Sequence, residues 1–438
     1  MMKMQCVNNK RRKLLALGAA AATTAFIPLR SLAATKSKLS NSDVVWGGTG
    51  FNVPNDEINT RLNLISKSLD QMNQIGWKVW QDGLIASLTK AFSGEVIDNA
   101  PGMKLDYNSD PRPLFSVGFD YENFLRIDVD PGELVGEDSD GNKDICFYYL
   151  FSSIRIYTVQ IPRQSAGKVS LVYSKPIKAF NRSLLANDPM SERGFVLDTL
   201  SGNADYTIIS KFDVAADQIA FTESMYEPKH IRIRKVSFDS KAKEALQSLK
   251  QDMVFNENFF ASLFGVGVNQ AFEASVLPYV MTDYLSSTLS SRFDKELEMS
   301  RIFKDMDDDV AEIYLDLNIT KVLRKISAEN ASKQQIARGL AIDVSFVRVS
   351  DDSKIFSTKL VRVEKREQVK GGKKEDWYRS NDSLYFYYLA EKMVDDFFAG
   401  VGQEDPKLLL NAGVRPQDAS KTELNALKNA LDSCRYGA

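Results

Sequence analysis

The chain has 438 residues, with 56 Lys and Arg against 58 Asp and Glu, a formal net charge of −2, 44% hydrophobic residues and 10% aromatic residues. That length and apolar content suit two or three domains with proper cores and exclude a disordered chain. The near balance of charge excludes a general electrostatic pull toward nucleic acid or anionic lipid.

Read from its start, the chain first presents an export signal. Lys10, Arg11, Arg12 and Lys13 precede a soft apolar run from Leu14 to Ile27, and Ser31, Leu32 and Ala33 satisfy the small-x-small rule for signal-peptidase cleavage. Residues 1–33 are therefore expected to be a signal peptide, with the mature chain working in the periplasm. Arg11-Arg12 resembles a twin-arginine signal. The core diluted by Gly18 and Ala19 to Ala22, with Arg30 before the cleavage site, favours that route, and the general secretory route stays open. The run is too short to span a bilayer, so no transmembrane helix is expected. Removing the signal leaves 50 basic and 58 acidic side chains, a net −8.

Residues 44–240 read as a first α+β lobe. Ile58, Leu62, Ile65 and Leu69 make a helical stripe within 55–72, and Gly76 is expected to end it. A second helix is expected over 77–92 with Val79, Leu84, Leu88 and Phe92 inward. Strands follow over 114–127, 145–159 and 168–177, then a helix over 183–200 and strands over 205–212, 218–221 and 231–238. Residues 241–258 read as a linker containing a short charged helix.

A second lobe, 259–404, repeats this order. A helix over 271–293 interrupted at Pro278, strands over 312–323, 339–350 and 354–365, and a helix over 382–398 are expected. Residues 405–438 read as a tail with a last helix over 421–432. Leu114-Phe115-Ser116 lies over Ile313-Tyr314-Leu315, and Ile154-Arg155-Ile156 over Val347-Arg348-Val349. This similarity reads either as an internal duplication or as two unrelated units of like shape. The fold class expected is α+β, with two helix-plus-antiparallel-sheet lobes.

Three C-terminal segments, "EIYLDLNITKVLRK", "GLAIDVSFVRVSDDSKIFSTKLVRVEK" and "SLYFYYLAEKMVDDFFAGV", follow a helix, antiparallel meander and helix plan. This resembles periplasmic envelope-assembly domains: the curli secretion component, the TolB amino-terminal domain and the lipoproteins that activate penicillin-binding proteins. The resemblance covers about 130 residues without a signature residue. It implies a binding or assembly role, with another envelope protein or outer-membrane component as partner and no active site.

Chemistry-bearing motifs are few. Asp138, Asp140, Asn142 and Asp144 place oxygens at alternate positions around Gly141, a spacing that suits Ca²⁺. The Gly falls two positions early for a helix-loop-helix calcium loop, and Tyr149 stands where the closing Glu belongs, so a solvated hairpin loop is the competing reading. No other cofactor is expected. Cys146 and Cys434 remain after signal removal and either pair in an oxidising compartment or stay buried thiols. His230 is the single histidine, with no Ser or Cys placed beside it by sequence, and no Gly-x-Ser-x-Gly elbow or phosphate-cradling loop occurs. The segment Phe259 to Val268 suits a core between lobes. A non-catalytic accessory protein is expected, with a carboxylate-dependent glycan hydrolase as the alternative.

Overall fold

Residues 44–53, 57–70, 74–92, 94–98, 112–127, 143–160, 168–186, 188–201, 207–218, 229–251, 254–279, 311–369, 382–415, 417 and 420–435 are described by a computed structural model. The export segment and the motif residues Asp138, Asp140 and Asn142 lie outside them.

The fold is α+β, built on two five-stranded sheets. The first joins β1 (Val44–Phe51), β2 (Val96–Asp98), β3 (Arg112–Ile127), β4 (Lys143–Gln160) and β5 (Lys168–Ala186) in the order β2-β1-β3-β4-β5. The second joins β6 (His230–Phe238), β7 (Val276–Leu277), β8 (Ala311–Glu329), β9 (Lys333–Arg348) and β10 (Lys354–Val369) in the order β7-β6-β8-β9-β10. Each sheet is mixed, not antiparallel throughout. β1 runs parallel to β2 and β3, and β6 runs parallel to β7 and β8, while the remaining pairs are antiparallel. The parallel strands need helical crossovers. The first sheet supplies them with α1 (Ile58–Arg61), α2 (Asn63–Asp70) and α3 (Gln74–Ala91), the second with α6 (Ser240–Ser248) and α7 (Glu257–Phe272). After the first sheet come α4 (Pro189–Ser201) and α5 (Ile208–Gln218). After the second come α8 (Asp382–Gln403), α9 (Pro406–Ala412) and α10 (Lys421–Ser433).

The two sheets repeat one another down to their irregularities. Phe51 pairs with Phe119 and Phe238 with Ile319, and the next residue's amide bonds the same carbonyl in each: Asn52 to Phe119 at 2.7 Å, Asp239 to Ile319 at 3.0 Å. The long strand then bulges at Asp120 in one sheet and at Thr320 in the other. Leu114 is thus equivalent to Tyr314, one residue away from the Ile313 that sequence similarity suggests. Arg155 is equivalent to Ser345 rather than Arg348, through the pairs Ser116–Arg155 and Asp316–Ser345. A slip of one residue turns every side chain to the other face. Only the hydrogen-bond register identifies the equivalent positions.

The register also corrects the lobe boundaries. β6, read with the first lobe, pairs with β7 and β8. The expected linker contains α6, whose Ala242 and Leu246 are buried in the second core, and the expected tail contributes Leu427 and Leu431 to that core. Other elements differ locally. The helix α3 runs through Gly76, and Val79 is 62% exposed while Trp80, Leu84 and Leu88 face the core. β5 continues to Ala186 where a helix was expected, and 208–218 is helical where a strand was expected. β1 has no alternating pattern because all eight residues are buried, so periodicity does not mark it as a strand. After Phe272 the chain leaves the helix and enters β7 before Pro278.

Four layers result. Helices α2 to α5 cover one face of the first sheet around Trp46, Trp80, Phe119 and Phe212. The other face of that sheet, with Phe147, Tyr149 and Phe151, meets α7 and α8. The second sheet lies beyond them, its Phe346 and Phe356 against Phe398 and Phe397 of α8. Sandwiched between two sheets, the middle of α7 is apolar on nearly every side, which accounts for the bunched segment Phe259 to Val268. Its close approach to α8 depends on Gly267, where an added Cβ would stand 2.5 Å from Val394 Cγ1 and 3.0 Å from Phe398 Cδ2. Gly267→Leu is expected to destabilise the fold by about 3 kcal/mol through overpacking, read as a lower urea midpoint.

Candidate functional site

Side chains with shifted ionisation show where chemistry concentrates. The bulge at Asp120 aims its carboxylate into a small crevice between the first sheet and α7. Asn52 Nδ2 donates to Asp120 Oδ1 and, at 2.8 Å, to Ser153 Oγ, which itself donates to Asp120 at 3.3 Å. Asn258 and Ser262 of α7 line the opposite wall. Burial pushes the Asp120 carboxyl up to about 6, against the opposing pull of Asn52 and the Arg155 guanidinium. The cavity, about 30 Å³, has room for water but not for an organic substrate. Asp120 is its single carboxylate among the described residues, whereas glycoside hydrolysis takes two carboxyl groups across a groove.

Two residues on, Glu122 serves structure. Its carboxylate accepts the amides of Leu64 (2.6 Å) and Ile65 (3.0 Å) at the start of α2 and the Tyr148 hydroxyl at 2.7 Å. It thereby caps a helix from another strand. Burial raises it to about 7 despite these bonds.

His230 has the partner that the sequence did not reveal. Ser275 Oγ accepts the Ser174 amide at 2.8 Å and therefore donates to His230 Nδ1 at 2.6 Å, leaving Nε2–H to donate to the Leu171 carbonyl at 3.1 Å. Burial depresses the imidazole to about 4 and keeps it neutral. His230 and Ser275 are 0% and 2% exposed, so the pair is sealed and joins β5 of the first sheet to β6 and β7 of the second. No sequence signal marks Ser275, which lies 45 residues away.

Of the expected calcium ligands, Asp138, Asp140 and Asn142 lie outside the described residues. Asp144 is buried at the start of β4 and pairs with Arg126 at 2.8 Å, which also holds Glu192. Its charge is thus already matched within the sheet. No group of three or more metal-ligating side chains occurs among the described residues. Cys146 and Cys434 do not pair: both are free and buried, in separate cores. No helix among the described residues is long and apolar enough to cross a membrane.

The outer face of the second sheet carries charge around a row of small, buried residues. Three cross-strand rows make it: Lys321–Ala341–Val361, Leu323–Gly339–Val363 and Lys325–Ala337–Lys365. The three lysines are exposed and Val363 is 50% exposed. The equivalent rows of the first sheet are Tyr121–Phe151–Lys178, Asn123–Tyr149–Phe180 and Leu125–Phe147–Arg182. There α8 is seated. Tyr387 stacks on Tyr149 with ring centroids 3.9 Å apart, and Glu391 pairs with Lys178. The same face is therefore aromatic and packed against α8 in one repeat, and small-residued with exposed lysines at its margins in the other.

No protein-family model and no curated protein matches the chain. Among solved structures, a neuraminyllactose-binding hemagglutinin homologue from Helicobacter pylori aligns at 11% identity and a TM-score of 0.22, over 47% of this chain and 90% of its own. A hypothetical protein from Chlamydia trachomatis aligns at 11% identity and a TM-score of 0.19, over 47% of this chain and 99% of its own. Scores of this size establish no common fold.

Proposed function

We propose that this chain is an exported, periplasmic envelope protein that acts by binding, as an accessory or assembly factor for another envelope component. The observation that carries the reading is the contrast between two equivalent sheet faces: in the first repeat it packs against α8, and in the second it presents exposed Lys321, Lys325, Lys365 and Val363. The strongly shifted groups also favour a structural use: Glu122 caps a helix, His230 joins the repeats and Lys178 pairs with Glu391. The leader-like residues 10–33 and the likeness of the C-terminal segments to envelope-assembly domains agree with this role.

Cell fractionation tests the location. Expressed with its own first 33 residues in a bacterium, the protein is expected in the osmotic-shock fraction with an amino terminus at Ala34. Full-length protein confined to the cytosol would overturn the reading. Arg11→Lys with Arg12→Lys is expected to block export by the twin-arginine route and to leave the general secretory route working.

A further inference from the structure

We infer that the cross-strand row Ser116–Arg155–Ser174 of the first sheet is a buried binding site for one monoatomic anion of the halide class, such as chloride. The inference is independent of the envelope role proposed above.

The row follows from the register. Ser116 pairs with Arg155, and Arg155 pairs with Ser174. Directly opposed residues of antiparallel strands share one face, so the three side chains stand side by side. Two residues further along their strands, Ser153 and Pro176 line the crevice beside α7, which places the row on the face turned to that helix. Ser116, Arg155 and Ser174 are 0%, 7% and 0% exposed. Ser116 Oγ, Arg155 Nε and Ser174 Oγ each have no hydrogen-bond partner among the described residues. Arg155 Nη1 donates to the Tyr157 hydroxyl at 3.2 Å. Its Nη2 lies over Gly118, where an added Cβ would collide with it and with Asn52. Gly118 thus gives the guanidinium its seat on the sheet.

Charge decides between an anion and a water. A water would meet the hydrogen bonds but leave the guanidinium charge unmatched, and a buried charge is costly unless it is paired. The molecule's other screened arginines obey that rule. Arg338, 1% exposed, holds Asp382 at 2.6 Å, and the half-buried Arg362 and Arg126 hold Asp396 and Asp144, each at 2.8 Å. Arg155 makes no ion pair among the described residues. Asp120 feels its charge but is bonded to Asn52 and Ser153, and burial holds the Asp120 proton up to about 6. Size decides the class of anion. The crevice in the next row has room for a water-sized particle. A halide is of that size, whereas phosphate, sulfate or a carboxylate-bearing molecule is not. Two hydroxyls and a guanidinium N–H can all donate, and a halide accepts from all three.

The test uses the full chain prepared without halide. A crystal soaked in sodium bromide is expected to show an anomalous peak within hydrogen-bond reach of Arg155 Nε and both serine hydroxyls. In solution, with ionic strength held constant by sodium gluconate, the melting temperature is expected to rise by about 3 °C between about 1 and about 200 mM sodium chloride. Arg155→Met fills the same space without a charge, so it is expected to fold and to lose both responses. Ser116→Ala with Ser174→Ala is expected to weaken halide binding about tenfold. Asp120→Asn removes the negative charge near the guanidinium and is expected to strengthen binding about fivefold at pH 7, a gain that a purely structural Arg155 would not produce. A water in the row with no bromide peak there would overturn the proposal. So would bromide at surface lysines alone, an adventitious ion only, or a chloride response unchanged in Arg155→Met.

Discussion

Asp382→Ala is expected to lower unfolding stability by about 3–5 kcal/mol, the usual loss when one partner of a buried ion pair is removed. Asp382 opens α8, where a carboxylate also favours the helix N-terminus. Its two oxygens take Arg338 Nε at 2.6 Å and Arg324 Nε at 2.7 Å. Arg338 is 1% exposed and its guanidinium lies 4.7 Å over the Tyr385 ring. The substitution therefore takes a counter-charge from a cation that water cannot reach. It also loosens the start of the helix whose Tyr387 and Glu391 meet the first sheet. Urea denaturation measures the loss, and Asp382→Asn, which keeps an acceptor and removes the charge, is expected to fall between the two. A loss below about 1 kcal/mol for the alanine variant would contradict this account.

The second large effect is a dependence on pH carried by Asp120. Its carboxyl stands at about 6 in the folded chain against an ordinary 3.8. The folded state therefore holds the proton over a range in which the unfolded state has released it. Stability from this group is fully present well below the ordinary value and is lost as pH rises through about 6, a loss of about 2.4 kcal/mol between pH 4 and pH 7. Asp120→Asn keeps an oxygen for Asn52 and Ser153 and has no proton to lose. The stability of the variant relative to the native chain is thus expected to improve by about 2.4 kcal/mol over that pH range. Glu122 and His230 titrate in both proteins and cancel in the difference. Paired denaturation curves at pH 4, 5, 6 and 7 check it, and a difference independent of pH would show that folding leaves the ionisation of Asp120 unshifted.

How much of this was legible in the residues differs by element. The long strands β3, β4, β8, β9 and β10 and the helices α8 and α10 were readable because alternation or a helical stripe persists over many residues. The sandwiched segment at Phe259 was readable from apolar density alone. β1 was not, since burial on both faces erases alternation. β5 was underestimated because Pro176, inside the strand, reads as a stop.

The α+β class, the repeated order of elements and the scarcity of catalytic motifs were thus properties of the sequence by itself. Tertiary structure alone decided the register between the repeats, because a period of two tolerates a one-residue slip that only hydrogen bonds resolve. It alone brought Ser275 to His230, Asp382 to Arg338 and Glu122 to the amides of α2, contacts between residues 44 to 58 positions apart that leave no local signature. It alone separated two equivalent sheet faces, one aromatic and packed against a helix, the other small-residued with lysines at its margins. The difference lies in Ala337, Gly339 and Ala341, which look unremarkable in the strand until they stand where Phe147, Tyr149 and Phe151 hold a helix.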